Sequence, residues 1–253
     1  MRRFLFMPDT RVAHPPGTIA RALAVAGALL FAASIGYFIW FYLFGLADRA
    51  PSHGPAAAAV RNAALFAAFG LHHSIFARAP WRAWVARMIS PHLERAVYVW
   101  IASAAFILVC LWWVPFGAPI WDAAPPVSYV LRALQAAGIA FTLWAAGALD
   151  ALSLAGIRQL DTPLPPSGVE RASAALQHTG PYGIVRHPIY LGWLLIVWAA
   201  PVMTPAHAEF AVISTGYLIV ATLYEERSLR QTFGPAYDDY ARHVKRKMVP
   251  WIY

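Results

Sequence analysis

Apolar residues in this chain come in long blocks, not in the alternating or one-sided patterns of a soluble fold. The blocks lie at 19–46, 56–76, 96–116, 128–154, 188–203 and 206–224, with short polar or proline-containing stretches between them. A membrane-crossing helix needs about 20 mainly apolar residues. Only helices and closed barrels satisfy their backbone in lipid, and neither strand periodicity nor an internal repeat is visible. The pattern therefore predicts an all-α, polytopic membrane bundle of five to six transmembrane helices. The fifth block is short, and "PVMTPAH" separates it from the sixth, with Pro201 and Pro205 marking a tight reversal. These two blocks are expected to form a helical hairpin.

Composition supports this. Of the 253 residues 60% are hydrophobic and 13% charged, against about a quarter charged in ordinary soluble domains. The first block is far longer than a signal-peptide core and is expected to be retained as a helix. Cys110 is the single cysteine, so neither a disulfide framework nor a cysteine-built metal site is expected. The net charge of +8 does not point to nucleic acid, because the cations sit in loops between apolar blocks and not on one polar face. Their distribution alternates. Seventeen of the twenty fall in the N-terminal stretch, in 77–95, in 155–188 and after 224, leaving Arg49, Arg61 and Arg132 on the opposite side. The positive-inside rule then places both termini in the cytoplasm, at the inner membrane if the cell is bacterial. The whole chain is expected to be one membrane domain, with four helices over 18–154 and a functional region over 175–250.

Candidate chemistry gathers on the basic side. In "GPYGIVRHPIYLGW", residues 180–193, Pro188 suits the first turn of a helix, so Arg186 and His187 stand where its free N–H groups emerge. A helix start beside an arginine suits a carboxylate or phosphate, and Tyr182 and Tyr190 offer flat faces to a ring or a cation. Gly183 and Gly192 permit close approach. An interfacial belt of Tyr and Arg explains the same residues equally well. In "YEERSL", Glu225 and Glu226 follow directly on an apolar helix, and the hairpin returns them to the level of Arg186. Two carboxylates at a membrane boundary are costly, although pairing with Arg227 or Arg230 would also account for them. "GLHHSIFAR" sets His72 and His73 at another helix end. Being adjacent they face different ways, so no metal pair is expected. Glu94, Arg95 and, in "GIRQL", Arg158 and Gln159 read as an ion-pair rim. No phosphate-binding glycine loop and no serine-nucleophile motif occurs.

"GPYGIVRHPIYLGW", then "EE", then "FGPAYDDYARHVKRKMVP" resemble the isoprenylcysteine carboxyl methyltransferase superfamily, whose signature is RHPxYxG followed by EE on the far arm of a hairpin. The match covers roughly 175–250. "FGLHHSIFAR", the "ER…Y" of 94–98 and "GIRQL" are similar to the bacterial methanethiol S-methyltransferase and NnrU-like membrane branch. The resemblance implies an S-adenosylmethionine site with Tyr182, Arg186, His187, Tyr190, Gly192, Glu225 and Glu226 as cofactor-binding positions. It points to methyl transfer to a small apolar thiol, methanethiol giving dimethyl sulfide. Because the thiolate is the better nucleophile, the candidate catalytic groups are His73 as proton acceptor, or Arg95 and Arg158 stabilising the anion. Arg186 at the helix start suits the cofactor's carboxylate. "VATLY" before the EE lacks the cation that a carboxylate acceptor requires, and Ser153 replaces an acid typical of the thiol branch, with Asp150 one turn earlier. Prenylcysteine or lipid acceptors, and a non-enzymatic accessory role, are the alternatives. The partners expected are the thiol and the bilayer.

Overall fold

The computed structural model describes residues 17–51, 54–76, 78–89, 93–149, 157 and 176–250. Its described part is predominantly helical. In chain order the elements are α1 Thr18–Asp48, α2 Pro55–Phe76, α3 Ala79–Met88, α4 Glu94–Trp112, β1 Trp121–Asp122, α5 Val127–Ala148, α6 Pro188–Trp198, β2 Val202–Met203, α7 Pro205–Phe233 and α8 Pro235–His243. Four of them, α1, α4, α5 and α7, are long and apolar enough to cross a membrane. α2 has the length but carries Arg61, Asn62, His72 and His73. Lipid-facing exposure fits this reading, since Leu29, Val130 and Leu143 are more than half exposed on α1 and α5.

The hairpin departs from its predicted bounds at both arms. α6 has 11 residues, about 16 Å of helix, and cannot cross the roughly 30 Å hydrocarbon layer alone. Pro201 cuts it short, and the chain continues extended as β2, which pairs antiparallel with β1. α7 has 29 residues and runs nine residues past the predicted end at 224. The amphipathic α3 and α8 carry too little apolar sequence to register as blocks. α1 contains one turn of wider π geometry at Phe41–Gly45.

Packing inside the bundle uses small residues and aromatic rings, as expected where lipid supplies no hydrophobic drive between helices. α5 crosses α6 where Gly138 meets Gly192. A Cβ on Gly138 would come 2.7 Å from the Gly192 carbonyl, so a larger residue would force the helices apart. Phe38 of α1 stacks on Trp193 of α6 at 4.5 Å and 9°, and the buried Phe66, Phe106 and Phe210 complete the core from α2, α4 and α7.

Candidate functional site

The approach to α6 is fixed locally. Gly180 adopts φ +60°, which glycine accepts without steric cost, and opens a single 3-10 turn, Gly180–Gly183. Tyr182 in this turn is buried. Its carbonyl accepts from the Tyr240 hydroxyl of α8 at 2.8 Å, and its own hydroxyl reaches the Ala145 carbonyl of α5 at 3.5 Å. Pro188 then starts α6 with His187 as its N-cap.

Arg186, His187, Glu225 and Glu226 converge as the hairpin predicts, but with unequal roles. Arg186 Nε and Nη2 both donate to Glu226 Oε1, at 2.8 and 2.6 Å. Arg186 Nη1 donates to the carbonyls of Val244 and Lys245, at 2.7 and 3.0 Å. The backbone N–H groups of Arg186 and His187 donate to the carbonyls of Arg246 and Lys247. Residues 244–247 therefore form a strap across the start of α6, and Met248, itself buried, anchors it by accepting from Thr222. Arg186 and Glu226 are both at least nine-tenths buried. A buried guanidinium needs such partners, because an unpaired charge out of water costs several kcal/mol. Sequence reasoning set Arg186 opposite a ligand's carboxylate, whereas its guanidinium is engaged with Glu226 and the strap.

Glu225 differs. Consecutive residues on a helix point about 100° apart, so with Glu226 turned inward Glu225 turns towards the surface, and its side chain is 45% exposed. Oε2 accepts from the Tyr190 hydroxyl at 2.8 Å and lies 3.3 Å from His187 Nδ1, while Oε1 has no partner among the described residues. His187 and Tyr190 stack face to face at 5.4 Å and 9°. His187 Nε2 is 3.5 Å from Glu226 and makes no hydrogen bond. Burial alone favours the neutral ring of His187, but its close pairing with the two carboxylates outweighs this and raises its pKa above the usual histidine value.

Gly192 lies elsewhere on α6, against Gly138 and Thr142 of α5. His73 belongs to a second cluster in which the Tyr98 hydroxyl of α4 is 2.9 Å from His73 Nδ1 and the Arg95 guanidinium sits over the Tyr98 ring at 5.2 Å. Tyr217 of α7 joins this cluster edge-on to His73 and hydrogen-bonds to Ser74. Arg158, like Asp150, Ser153 and Gln159, lies outside the described residues. Sequence reasoning missed Tyr98, Ser74 and Tyr217, and also the strap. Tyr98 was within sight in the 94–98 segment, whereas the strap acts through backbone carbonyls, which no residue pattern marks.

Glu225, with one oxygen unpartnered among the described residues, and the two stacked rings present an acceptor and flat faces at one end of the helix bundle. Comparisons with known proteins give the class of protein. A family model described as phospholipid methyltransferase matches residues 132–236, which contain both hairpin arms. The chain is 36% identical to methanethiol S-methyltransferase of Mycobacterium tuberculosis, over 89% of this chain and 93% of that protein. It is 33% identical to methanethiol S-methyltransferase 1 of Bradyrhizobium diazoefficiens, over 92% of this chain and 82% of that protein. Nurim of Sus scrofa is more distant, 26% identical over 62% of this chain and 63% of its own. No solved structure matches. The chain belongs to the methanethiol S-methyltransferase family and is a membrane-bound methyltransferase enzyme.

Proposed function

We propose that this protein uses S-adenosylmethionine to methylate a small apolar thiol, converting methanethiol to dimethyl sulfide, at the cytoplasmic face of the membrane. The division of labour in the acidic pair carries this reading. Glu226 is locked to Arg186, whereas one carboxylate oxygen of Glu225 has no partner among the described residues and lies beside the His187–Tyr190 stack. S-adenosylmethionine bears an ammonium, a sulfonium, ribose hydroxyls and an adenine ring, and these residues suit such a cation. Glu225 would accept from the ammonium or the ribose, and the rings of Tyr190 and His187 would offer flat faces to adenine or to positive charge. Arg186 and Glu226 act on the site by fixing the strap and the start of α6. Tyr182 and Gly192 hold the surrounding helices at their close approach, and residues 175–250 form the cofactor region as a unit.

When bound, S-adenosylmethionine supplies an electrophilic methyl group on a cationic sulfur. The protein's task is to hold a thiol in line with it and to take up the proton that the thiol loses. An ordinary thiol pKa lies above neutrality, at about 8.5 for cysteine, so a proton acceptor assists. His73, engaged through Nδ1 with Tyr98 and with no described hydrogen-bond partner at Nε2, is the proposed acceptor. Arg95 supports it through the Tyr98 ring, and Arg158 is assigned with it to thiolate stabilisation. The concentration of Lys and Arg at this end supports a cytoplasmic orientation. Isothermal titration calorimetry with S-adenosylmethionine, followed by labelled turnover on methanethiol, a prenylcysteine analogue and phosphatidylethanolamine, tests the reading. Binding with transfer to methanethiol alone is expected. Absence of cofactor binding would overturn it.

A further inference from the structure

The second polar cluster sits deeper in the bundle than Glu225. Tyr217 lies eight residues before Glu225 on α7, about 12 Å along the helix, and makes three contacts that fix it. Its hydroxyl accepts from Ser74 Oγ at 3.1 Å. Its ring stands against Gly70 of α2, where a Cβ would come 3.3 Å from two ring carbons. Its opposite neighbours are the rings of His73 at 6.4 Å and Phe66 at 6.2 Å. The Tyr98 hydroxyl bonds the same His73 ring at Nδ1.

These side chains are not packed away. His73, Ser74, Tyr98, Tyr190 and Tyr217 are all only half-buried, whereas Phe66 and Phe210 next to them are buried. Polar groups set among apolar helices are expensive unless they are paired or functional. Of this set, His73 is the proton acceptor proposed above, so the thiol would lie beside it and Tyr98. Tyr217 of α7 stands beside the His73 ring, and the Gly70 and Ser74 contacts fix its position.

We infer that Tyr217 is the specificity-determining residue for the methyl acceptor: held by Ser74 against Gly70, its ring restricts the space beside His73 and Tyr98 to short thiols. This rests on the thiol S-methylation proposed above. The physical basis is the modest but additive selectivity of apolar pockets, in which each methylene gained or lost changes preference by about tenfold or more.

The test is the acceptor-length profile of full-length enzyme for methanethiol, ethanethiol, n-butanethiol and n-hexanethiol. Tyr217→Ala, and Tyr217→Leu as the variant that keeps more apolar volume, are expected to raise the hexanethiol to methanethiol ratio of kcat/KM at least tenfold. The dissociation constant for S-adenosylmethionine should stay within about twofold. Tyr217→Phe keeps the ring and should keep the wild-type length profile. A second readout needs no turnover: saturation-transfer NMR should show n-hexyl methyl sulfide gaining on dimethyl sulfide in the same two variants. General destabilisation would lower every rate and leave both ratios where they were. Unchanged ratios in Tyr217→Leu, with wild-type cofactor binding and methanethiol turnover, overturn this inference alone. Wild-type protein that binds neither the cofactor nor a thiol overturns the proposed function with it.

Discussion

The two ends of the α6–α7 hairpin solve opposite problems with similar residues. At the far end, polar groups close on one another. Tyr42 donates to the Val197 and His207 carbonyls, His207 is held at both nitrogens by Thr204 and the Tyr42 carbonyl, and Asn62 bonds Val114 twice and Glu209 once. The indole N–H groups of Trp113 and Trp121 donate to Ala206 and Ala200. Each of these groups is satisfied by a protein neighbour. At the basic end the same economy holds for Arg186 and Glu226 and then stops, because among the described residues Glu225 Oε1 has no partner and the buried His187 Nε2 lacks a hydrogen bond. The contrast separates polar chemistry that seals a turn from the corner that the proposed function assigns to the cofactor.

The comparison can be broken most severely at Arg186. Arg186→Ala leaves Glu226 buried without its partner and frees the strap, and loss of one member of a buried pair costs about 3–5 kcal/mol. Thermal unfolding in detergent should show the largest drop of any variant here, and cofactor binding should disappear with it. A far-end break is milder and leaves the site alone. Tyr42→Phe strips two carbonyls of their donor, so stability should fall by about 1–3 kcal/mol while the cofactor dissociation constant is unchanged.

Glu225→Gln sharpens the distinction, because it alters an exposed group. Stability should move by no more than about 0.5 kcal/mol, yet cofactor affinity should fall at least tenfold, about 1.4 kcal/mol. If Glu225→Gln bound the cofactor like wild type, the open end would lose its assigned role. The smallest effect is the pH dependence of His187. Its folded pKa is raised, so its contribution to stability is complete below the unfolded value of about 6.5 and is lost as pH rises through the folded pKa. His187→Gln should flatten the thermal-stability profile on the alkaline side of pH 6.5.

The apolar blocks placed α1, α2 and α4 within a few residues and the existence, though not the bounds, of the hairpin, since a bilayer selects for length and hydrophobicity, which are read along the chain. Proline set the starts of α6 and α7, and the spacing of RHP and EE brought them to one level. Adjacency of Glu225 and Glu226 already required them to face different ways, about 100° apart. Which one turns inward depended on the packing of α7, where Glu226 continues the buried line from Thr222. The strap over Arg186 consists of main-chain carbonyls, which carry no residue identity and so left no trace in the sequence. The meeting of Tyr217 with Gly70 and Ser74 joins residues more than 140 positions apart. The chain by itself determined a membrane bundle with a charged hairpin corner, because those features are local. Only the tertiary structure decided which charges are closed on the protein and which remain open, because that depends on partners from other helices.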